Sequence, residues 1–478
     1  MTCDAVIIGA GPNGLAAAVH LAQAGASVVV LEAASEIGGG TRSAELTLPG
    51  FVHDRCSAVQ PMAILSPQFR RLALADHGLR WIQAPVSAAH PLDDQPAVLL
   101  RGTLGDTAGE LGDDARAYRR LVGPFLADPH GLYGDTLGPL GVPRHPLLLL
   151  RFGLRGLRSA TGLARRFSGV RARALLAGCA AHSILPLDRA VTGAVAMMFL
   201  IAGHVEPWPI AAGGSHAIAH ALAGLIRAAG GRIETGVRVR SLADLPPARV
   251  YLFDTSPDQL AAIAEPVLPA RYVRRLRRYR YGPGVFKLDL ALDGAIPWRD
   301  PRCLEASTVH VGGTLEQCAA AEAAVWRGEH PEQPFVMVCQ QSQFDPSRAP
   351  AGKHTGYAYC HVPPGSTVDV SLQIERQIER FAPGFRDRIL ARHVTTPADL
   401  ERGNPNLVGG AITGGVADLF QLFTRPVARL DPYSTPNPRV FLCSASTPPG
   451  GGVHGMCGYH AARSALRRIA RVAAAPLR

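Results

Sequence analysis

Ala5-Val-Ile-Ile-Gly9-Ala-Gly11-Pro-Asn-Gly14-Leu-Ala-Ala-Ala-Val-His-Leu-Ala-Gln-Ala-Gly25-Ala-Ser-Val-Val-Val-Leu-Glu32 is the stretch on which the fold turns. A short apolar β run enters Gly9-x-Gly11-x-x-Gly14, an alanine-rich helix follows, Gly25 closes it, and a second β run ends at Glu32. The first glycine permits a tight turn, the second lets the backbone approach a pyrophosphate, and the third lets the helix pack on the strand. The helix start offers free N–H groups and its positive end to phosphates. Glu32 can accept hydrogen bonds from ribose hydroxyls, and it disfavours a 2′-phosphate, so NADP is not expected here. Gly38-Gly39-Gly40-Thr41 follows after a short loop and supplies further backbone N–H groups beside the pyrophosphate. Gly9, Gly11, Gly14, Glu32, Gly39, Gly40 and Thr41 are therefore the candidate dinucleotide contacts.

The whole chain has 478 residues, too many for one ordinary core, and suggests two domains. A hydrophobic share of 47% excludes a wholly disordered chain. No stretch approaches the roughly 20 apolar residues of a membrane-spanning helix. Met1 leads almost directly into a strand, without a basic start or a small-residue cleavage site, so the chain reads as cytoplasmic. Nine cysteines, an odd number without CxxC pairs, read as reduced thiols rather than a disulfide network or zinc site. The formal charge is +11, and only Lys287 and Lys353 among the 49 basic residues are lysines. A basic balance permits contact with anionic lipid or nucleic acid without establishing either. No nucleic-acid module accompanies the charge, so nucleic acid is not expected as a partner.

Toward the other end, 440–466 reads as a buried strand, a glycine-rich turn and a small-residue helix: Val-Phe-Leu-Cys-Ser-Ala-Ser446-Thr-Pro-Pro-Gly-Gly-Gly-Val-His454-Gly455-Met456-Cys-Gly-Tyr-His. Such a helix start can direct N–H groups at an anion. Together with the N-terminal fingerprint, this block resembles the phytoene-desaturase-like FAD oxidoreductases. That group includes the pyridine nucleotide-disulfide oxidoreductase domain 2 type of flavoprotein and is related to the flavin amine oxidases. Pro49-Gly50-Phe51 with His53-Asp54, the Gly213-Gly214-Ser215 turn and Gly231 to Val239 match as well. The resemblance implies FAD as cofactor, with the C-terminal turn at the flavin ring through Ser446, Gly455 and Met456. It also implies that Val239 touches the adenine end through its backbone. Arg42 stands two residues beyond the position where these families often place an arginine.

The resemblance implies an α/β fold: a discontinuous Rossmann-type FAD-binding domain formed by 1–72, 205–283 and 435–478, with a mixed α+β substrate domain formed by 73–204 and 284–434. Between Thr136 and Leu187 there is no acidic residue, yet eight arginines fall between Arg144 and Arg173 among leucines and phenylalanines. This stretch, 144–173, can lie in a membrane interface as a peripheral contact. The alternative is a solvated helix face over the substrate domain.

Flavin hydride chemistry asks little of side chains, but two stand out. Lys287 lies in an alternating run, Tyr281 to Leu292, amid apolar neighbours in a chain where arginine has displaced lysine. An ammonium can lose its proton or hold a water, which a guanidinium cannot. The run also resembles the amine-oxidase strand whose lysine holds a water near flavin N5. The bland reading is a strand-edge lysine reaching solvent, and Lys353 reads as surface. His454, inside the glycine turn, could orient substrate or exchange protons, or serve structure alone. His53, His182, His204 and Trp208 are secondary pocket candidates, and Cys457 a candidate for covalent flavin attachment or simple packing. The chain is thus expected to be an FAD-dependent oxidoreductase that desaturates or oxidises a small apolar organic substrate, reoxidised by oxygen or a quinone. A flavin amine oxidase, a carotenoid-type isomerase and a flavin-binding structural or membrane-associated protein with little turnover are the alternatives.

Overall fold

The computed structural model describes residues 3–469. Five short strands, apolar inside the sheet and charged at the Arg232–Glu234 edge, form a parallel sheet in the order Val440–Leu442, Ala248–Phe253, Cys3–Ile8, Val28–Leu31, Arg232–Glu234. Val28–Leu31 is buried at every position. Parallel strands are covered on both faces, so they read as apolar runs rather than alternations. On one face Ala5, Ile7, Val28, Val30, Val250 and Leu252 pack under helices Pro12–Gln23, His216–Ala228 and Met456–Ile469. On the other, Val6, Ile8, Val29, Leu31, Tyr251 and Phe253 pack under Pro257–Ala264 and Ala270–Leu276. Small residues let two of these helices nearly touch: a Cβ on Gly458 would lie 1.8 Å from the Asn13 carbonyl oxygen.

A second sheet has seven strands in the order Ile389–Thr395, Gly284–Leu292, His354–Val362, Val336–Cys339, Ala306–Val311, Val86–His90, Val98–Arg101. All its pairs are antiparallel except Val86–His90 with Ala306–Val311. Period-two alternation sends Phe286, Leu288, Leu290 and Leu292 into a core roofed by helix Ser371–Phe381. The opposite face, with Val285, Met337, Tyr357 and Tyr359, looks toward a helical layer that includes Val170–Ala181 and Thr192–Val205.

The first sheet draws its strands from the segments 1–72, 205–283 and 435–478, the second from 73–204 and 284–434. The small antiparallel pair Trp81–Gln83 with Pro209–Ala211 crosses that expected boundary. Positions 1–2 and 470–478 of the expected FAD-binding segments lie outside the described residues. A fully buried ion triad ties the two halves: Arg348 contacts Asp54 and Asp345 at 3.1 Å each, while the Ser215 and Gly213 amides donate to those two carboxylates. No helix among the described residues is long and apolar enough to cross a membrane.

Candidate active site

One cavity of about 1260 Å³ runs from the glycine loops of the parallel sheet to the inner face of the second sheet. At its nucleotide end Gly9 takes φ +102°, a conformation that L side chains rarely adopt. A Cβ at Gly14 would lie 2.1 Å from the Gly9 carbonyl, and one at Gly11 would lie 2.7 Å from Asp254 Oδ2. Gly9 and Gly11 are thus held against Asp254, and Gly14 against the Gly9 carbonyl. Gly9 and Gly11 line the cavity; Gly14 stands behind them. Glu32 also lines it, its carboxylate held by the amides of Ala10 at 2.7 Å and Ala34 at 2.8 Å. The Gly38 amide donates to the Ala10 carbonyl at 2.8 Å, joining the second glycine loop to the first. Gly39 and Gly40 face the cavity, whereas Thr41 is buried, does not line it, and donates its hydroxyl to the Gly38 carbonyl at 2.8 Å. Arg42 directs Nε to the Gly39 carbonyl at 3.0 Å and a terminal nitrogen to that of Gly403 at 2.7 Å. Val239 lies on the wall, as does Val237, whose amide donates to the Glu32 carbonyl at 2.8 Å.

The carboxyl of Asp254 went unnoticed in the sequence. It accepts the Gly14 amide at 2.8 Å, and burial pushes its pKa up to about 7 despite that bond, with the Glu32 charge adding to the rise. Its position could have flagged it, because it follows strand Ala248–Phe253, and ligands of parallel sheets lie off the carboxyl ends of the strands.

At the C-terminal turn His454 is 1% exposed and lines the cavity. Its Nδ1 accepts the Met456 amide at 3.0 Å, so in the neutral ring the proton sits on Nε2. Burial pushes its pKa down to about 4, only partly opposed by the nearby Gly451 and Gly450 carbonyls. Those carbonyls lie close, yet Nε2 makes no hydrogen bond of acceptable geometry. The ring is neutral at pH 7. It is placed to donate rather than to exchange protons near neutrality. Ser446 and Met456 line the cavity, with the Ser446 hydroxyl donating to the Gly414 carbonyl at 2.9 Å. Gly455 does not: a Cβ there would meet the Phe69 ring at 2.5 Å and Ala16 at 2.7 Å, so its role is helix packing. Cys457 also lies off the wall, its thiol donating to the carbonyls of Thr447 and Gly450 at 3.4 Å, and burial pushes its pKa up to about 11. Such a thiol is a poor nucleophile for flavin attachment.

Arg425 was not singled out in the sequence. It is 2% exposed, lines the cavity, and donates to the Gly415 carbonyl at 3.1 Å and the Val416 carbonyl at 3.0 Å. Among the described residues it has no ion-pair partner, and its Nε has no hydrogen-bond partner. An unneutralised buried cation on the wall favours negative charge in the cavity.

Lys287 is not a strand-edge residue. It occupies an interior strand, is 1% exposed, forms an ion pair with Asp289, and sets its ammonium 4.4 Å from the centre of the Tyr357 ring. Tyr357 lines the cavity and Lys287 does not, so the lysine stands one side chain behind the wall. Lys353 is surface, paired with Asp293. His182 and Trp208 line the chamber; His182 stacks on Phe199 at 4.0 Å and shares an Nε2–Nε2 hydrogen bond of 3.0 Å with His310. Burial pushes His182 down to about 3. His53 and His204 lie off the wall, bonded to Thr47 and Tyr118 respectively. All nine cysteines are free thiols, and no metal-binding cluster occurs among the described residues.

Residues 7–72 match the family described as NAD(P)-binding Rossmann-like domain. The chain resembles the phytoene-desaturase-like flavoproteins over nearly its whole length. It is 28% identical to the rat (Rattus norvegicus) pyridine nucleotide-disulfide oxidoreductase domain-containing protein 2, across 98% of this chain and 94% of the relative. It is 27% identical to a phytoene dehydrogenase of Streptomyces griseus, across 85% of this chain and 80% of the relative. The solved structure of putrescine oxidase bound to putrescine shares the fold, with a TM-score of 0.62, 17% identity, and coverage of 98% of this chain and all of the other.

Proposed function

We propose that this chain is an FAD-dependent oxidoreductase that removes hydride from a small apolar organic substrate, desaturating or oxidising it. The carrying observation is the continuity of the cavity from the glycine loops and Glu32, past the His454 turn, to an apolar chamber against the second sheet. The residues fit the cofactor. Gly9 and Gly11 line the cavity in a tight turn against Asp254 that admits no Cβ, Glu32 is held for a ribose, and Asn13 presents a buried side-chain oxygen with no partner. When bound, FAD supplies the hydride acceptor at flavin N5.

The chain's own residues do the rest. At the start of helix Pro12–Gln23 the positive helix end and the Asn13 amide would serve the phosphates, since Pro12 has no N–H and the Gly14 amide is held by Asp254. His454 holds an Nε2 proton for donation into the cavity, and Arg425 contributes positive charge to the wall beside Ala445 and the Gly450 turn. Met337, Tyr357, Tyr359 and Phe199 give the chamber apolar surfaces that exclude water. Lys287, behind Tyr357, acts by positioning that ring, whose hydroxyl donates to the Cys56 carbonyl. Oxygen or a quinone is the acceptor this reading favours, because the sequence carries one dinucleotide fingerprint.

The test begins with purified protein, which should be yellow with one FAD per chain. Under anaerobic conditions a panel of polyenes, saturated hydrocarbons, alcohols and amines is screened for bleaching of the flavin absorbance. Bleaching by apolar members of the panel supports the reading. Protein that carries no FAD, or bleaching by amines alone, overturns it.

A further inference from the structure

Helix Pro146–Gly156 carries its leucines on the wrong side for a soluble helix. Leu147, Leu150, Leu154 and Leu157 are 72%, 57%, 69% and 51% exposed, at spacings of three and four that place them on one stripe. Phe152 and Gly156 face inward instead. The preceding loop exposes most of Leu140 and nearly all of Val142. Nearly three hundred residues later, helix Leu419–Thr424 and its following loop expose Phe420, Phe423 and Leu430.

The two patches meet. Leu422 packs in a small cluster with Val191, whose amide donates to the Leu157 carbonyl at 3.4 Å. Leu140, Val142 and Leu157 from one patch and Phe423 and Leu430 from the other line the same cavity. The exposed apolar surface is thus the rim of the proposed substrate chamber. Arginines ring it. Arg144, Arg151, Arg158, Arg165, Arg166 and Arg429 are exposed and have no ion pair among the described residues. Arg155 feels Arg151 and Arg166 as unneutralised neighbours, which together with burial lower its pKa. Of the nearby carboxylates, Asp135 pairs with His145, Asp418 with Arg280 and Asp431 with Arg467, while Asp188 is exposed next to Arg189.

We infer that this rim docks on a lipid bilayer carrying anionic headgroups, and that an apolar substrate passes from the lipid into the cavity without crossing water. The leucines and phenylalanines insert at the interface, and the arginines lie along their stems with charged ends at the phosphates. An apolar patch alone would fit a second protein equally well; the unpaired cations select a negatively charged, deformable surface. Residues 144–173 alone would make one helix of contact. The second patch makes the contact encircle the opening.

The inference rests on reading the chamber as a site for apolar molecules, but its test does not use turnover. FAD-loaded protein is sedimented with vesicles of phosphatidylcholine and phosphatidylglycerol in equal parts, and with vesicles of phosphatidylcholine alone. Binding to the anionic vesicles should dominate at low salt and weaken as salt rises. The double variant Leu150→Ser/Leu154→Ser should lower the partition coefficient about 100-fold, and Phe420→Ser about 10-fold, since each removes a large apolar side chain from the interface. Arg151→Ser/Arg158→Ser should lower it about 30-fold at low salt. All these positions are exposed, so FAD content should stay at the parent level. Parent protein that stays in the supernatant at low salt overturns the inference, as do Ser variants that bind like the parent. If light scattering shows a dimer that Leu150→Ser/Leu154→Ser converts to monomer, a second copy covers this face and the lipid assignment fails. If the variants bind vesicles like the parent and a substrate in detergent still bleaches their flavin, the proposed reaction stands while the docking surface falls.

Discussion

Asp254→Asn tests whether the buried carboxyl at the phosphate loop sets the pH range of cofactor binding. An ordinary aspartate ionises near 3.8, and burial moves Asp254 to about 7, a preference for the protonated form of about 4 kcal/mol. The folded chain then keeps a proton that the unfolded chain has lost. Stability of the cofactor-free protein should therefore fall as pH rises from about 4 to about 7, and level off above. Binding follows the same sign. Above pH 7 the ionised carboxylate, fixed on the Gly14 amide at 2.8 Å, faces the phosphates across Gly11. Affinity should then fall by up to about tenfold per pH unit above 7, because binding must take up a proton. Asparagine keeps the oxygen that accepts the Gly14 amide but carries no charge, so the variant should bind with nearly flat pH dependence. The assay is titration of apoprotein with FAD, followed by quenching of flavin fluorescence, from about pH 6 to about pH 9. An Asp254→Asn protein that retains the parent's slope, or a parent with a flat profile, refutes the assignment.

Lys287→Met strands the fully buried Asp289 carboxylate, leaving only the imidazoles of His53 at 3.6 Å and cross-strand His393 near it, and should cost about 3–5 kcal/mol in thermal unfolding. Lys287→Met/Asp289→Leu should recover most of that loss; if the lysine also tunes proton flow, reoxidation of the photoreduced double variant by oxygen stays about 10²–10⁴-fold slow, and parental kinetics would leave Lys287 a purely structural partner. Gly458→Ala drives a methyl to 1.8 Å from the Asn13 carbonyl, so the two helices must part; a loss of about 1–3 kcal/mol or more with lower FAD content is expected, and an unchanged melting temperature contradicts the close crossing. Arg425→Met removes the unpaired wall cation and should lower the flavin reduction potential by about 30–60 mV, read spectroelectrochemically. An unchanged potential with FAD retained would confine Arg425 to bonding the Gly415 and Val416 carbonyls.

What the sequence disclosed tracks how local the interaction is. The glycine fingerprint, the helix and Glu32 lie within 32 residues, and their geometry follows from neighbouring dihedrals and short hydrogen bonds. The same holds for His454, whose ring is fixed by an amide two residues on. Thr41 and Gly455 were placed in the right loops, but which of adjacent residues faces a cavity depends on turn geometry that composition does not encode. Lys287 shows the limit most clearly. Alternation correctly put it opposite Phe286 and Leu288, yet its burial depends on Tyr357 from a strand seventy residues away. Asp254 and Arg425 stayed invisible because their meaning comes from partners at Gly14 and in the 415–416 loop, not from any motif of their own. The apolar rim was half legible, because only one of its two patches is rich in arginine.

The strand order of the parallel sheet also dictates when the molecule can exist. Cys3–Ile8 leaves the ribosome first, but its neighbour Ala248–Phe253 comes about half a chain later, and the edge strand Val440–Leu442 near the end. At roughly 5–20 residues per second, the first strand waits roughly 10–50 s for Ala248–Phe253 to be synthesised, and that strand then waits for its own edge partner Val440–Leu442. Helix Met456–Ile469, which packs beside the phosphate-facing helix at Gly458, is later still. During that interval Cys3–Ile8 pairs with Val28–Leu31 alone, and the alanine-rich helix lacks the cover of His216–Ala228 and Met456–Ile469, a condition that exposes apolar surface to chaperones and delays cofactor capture.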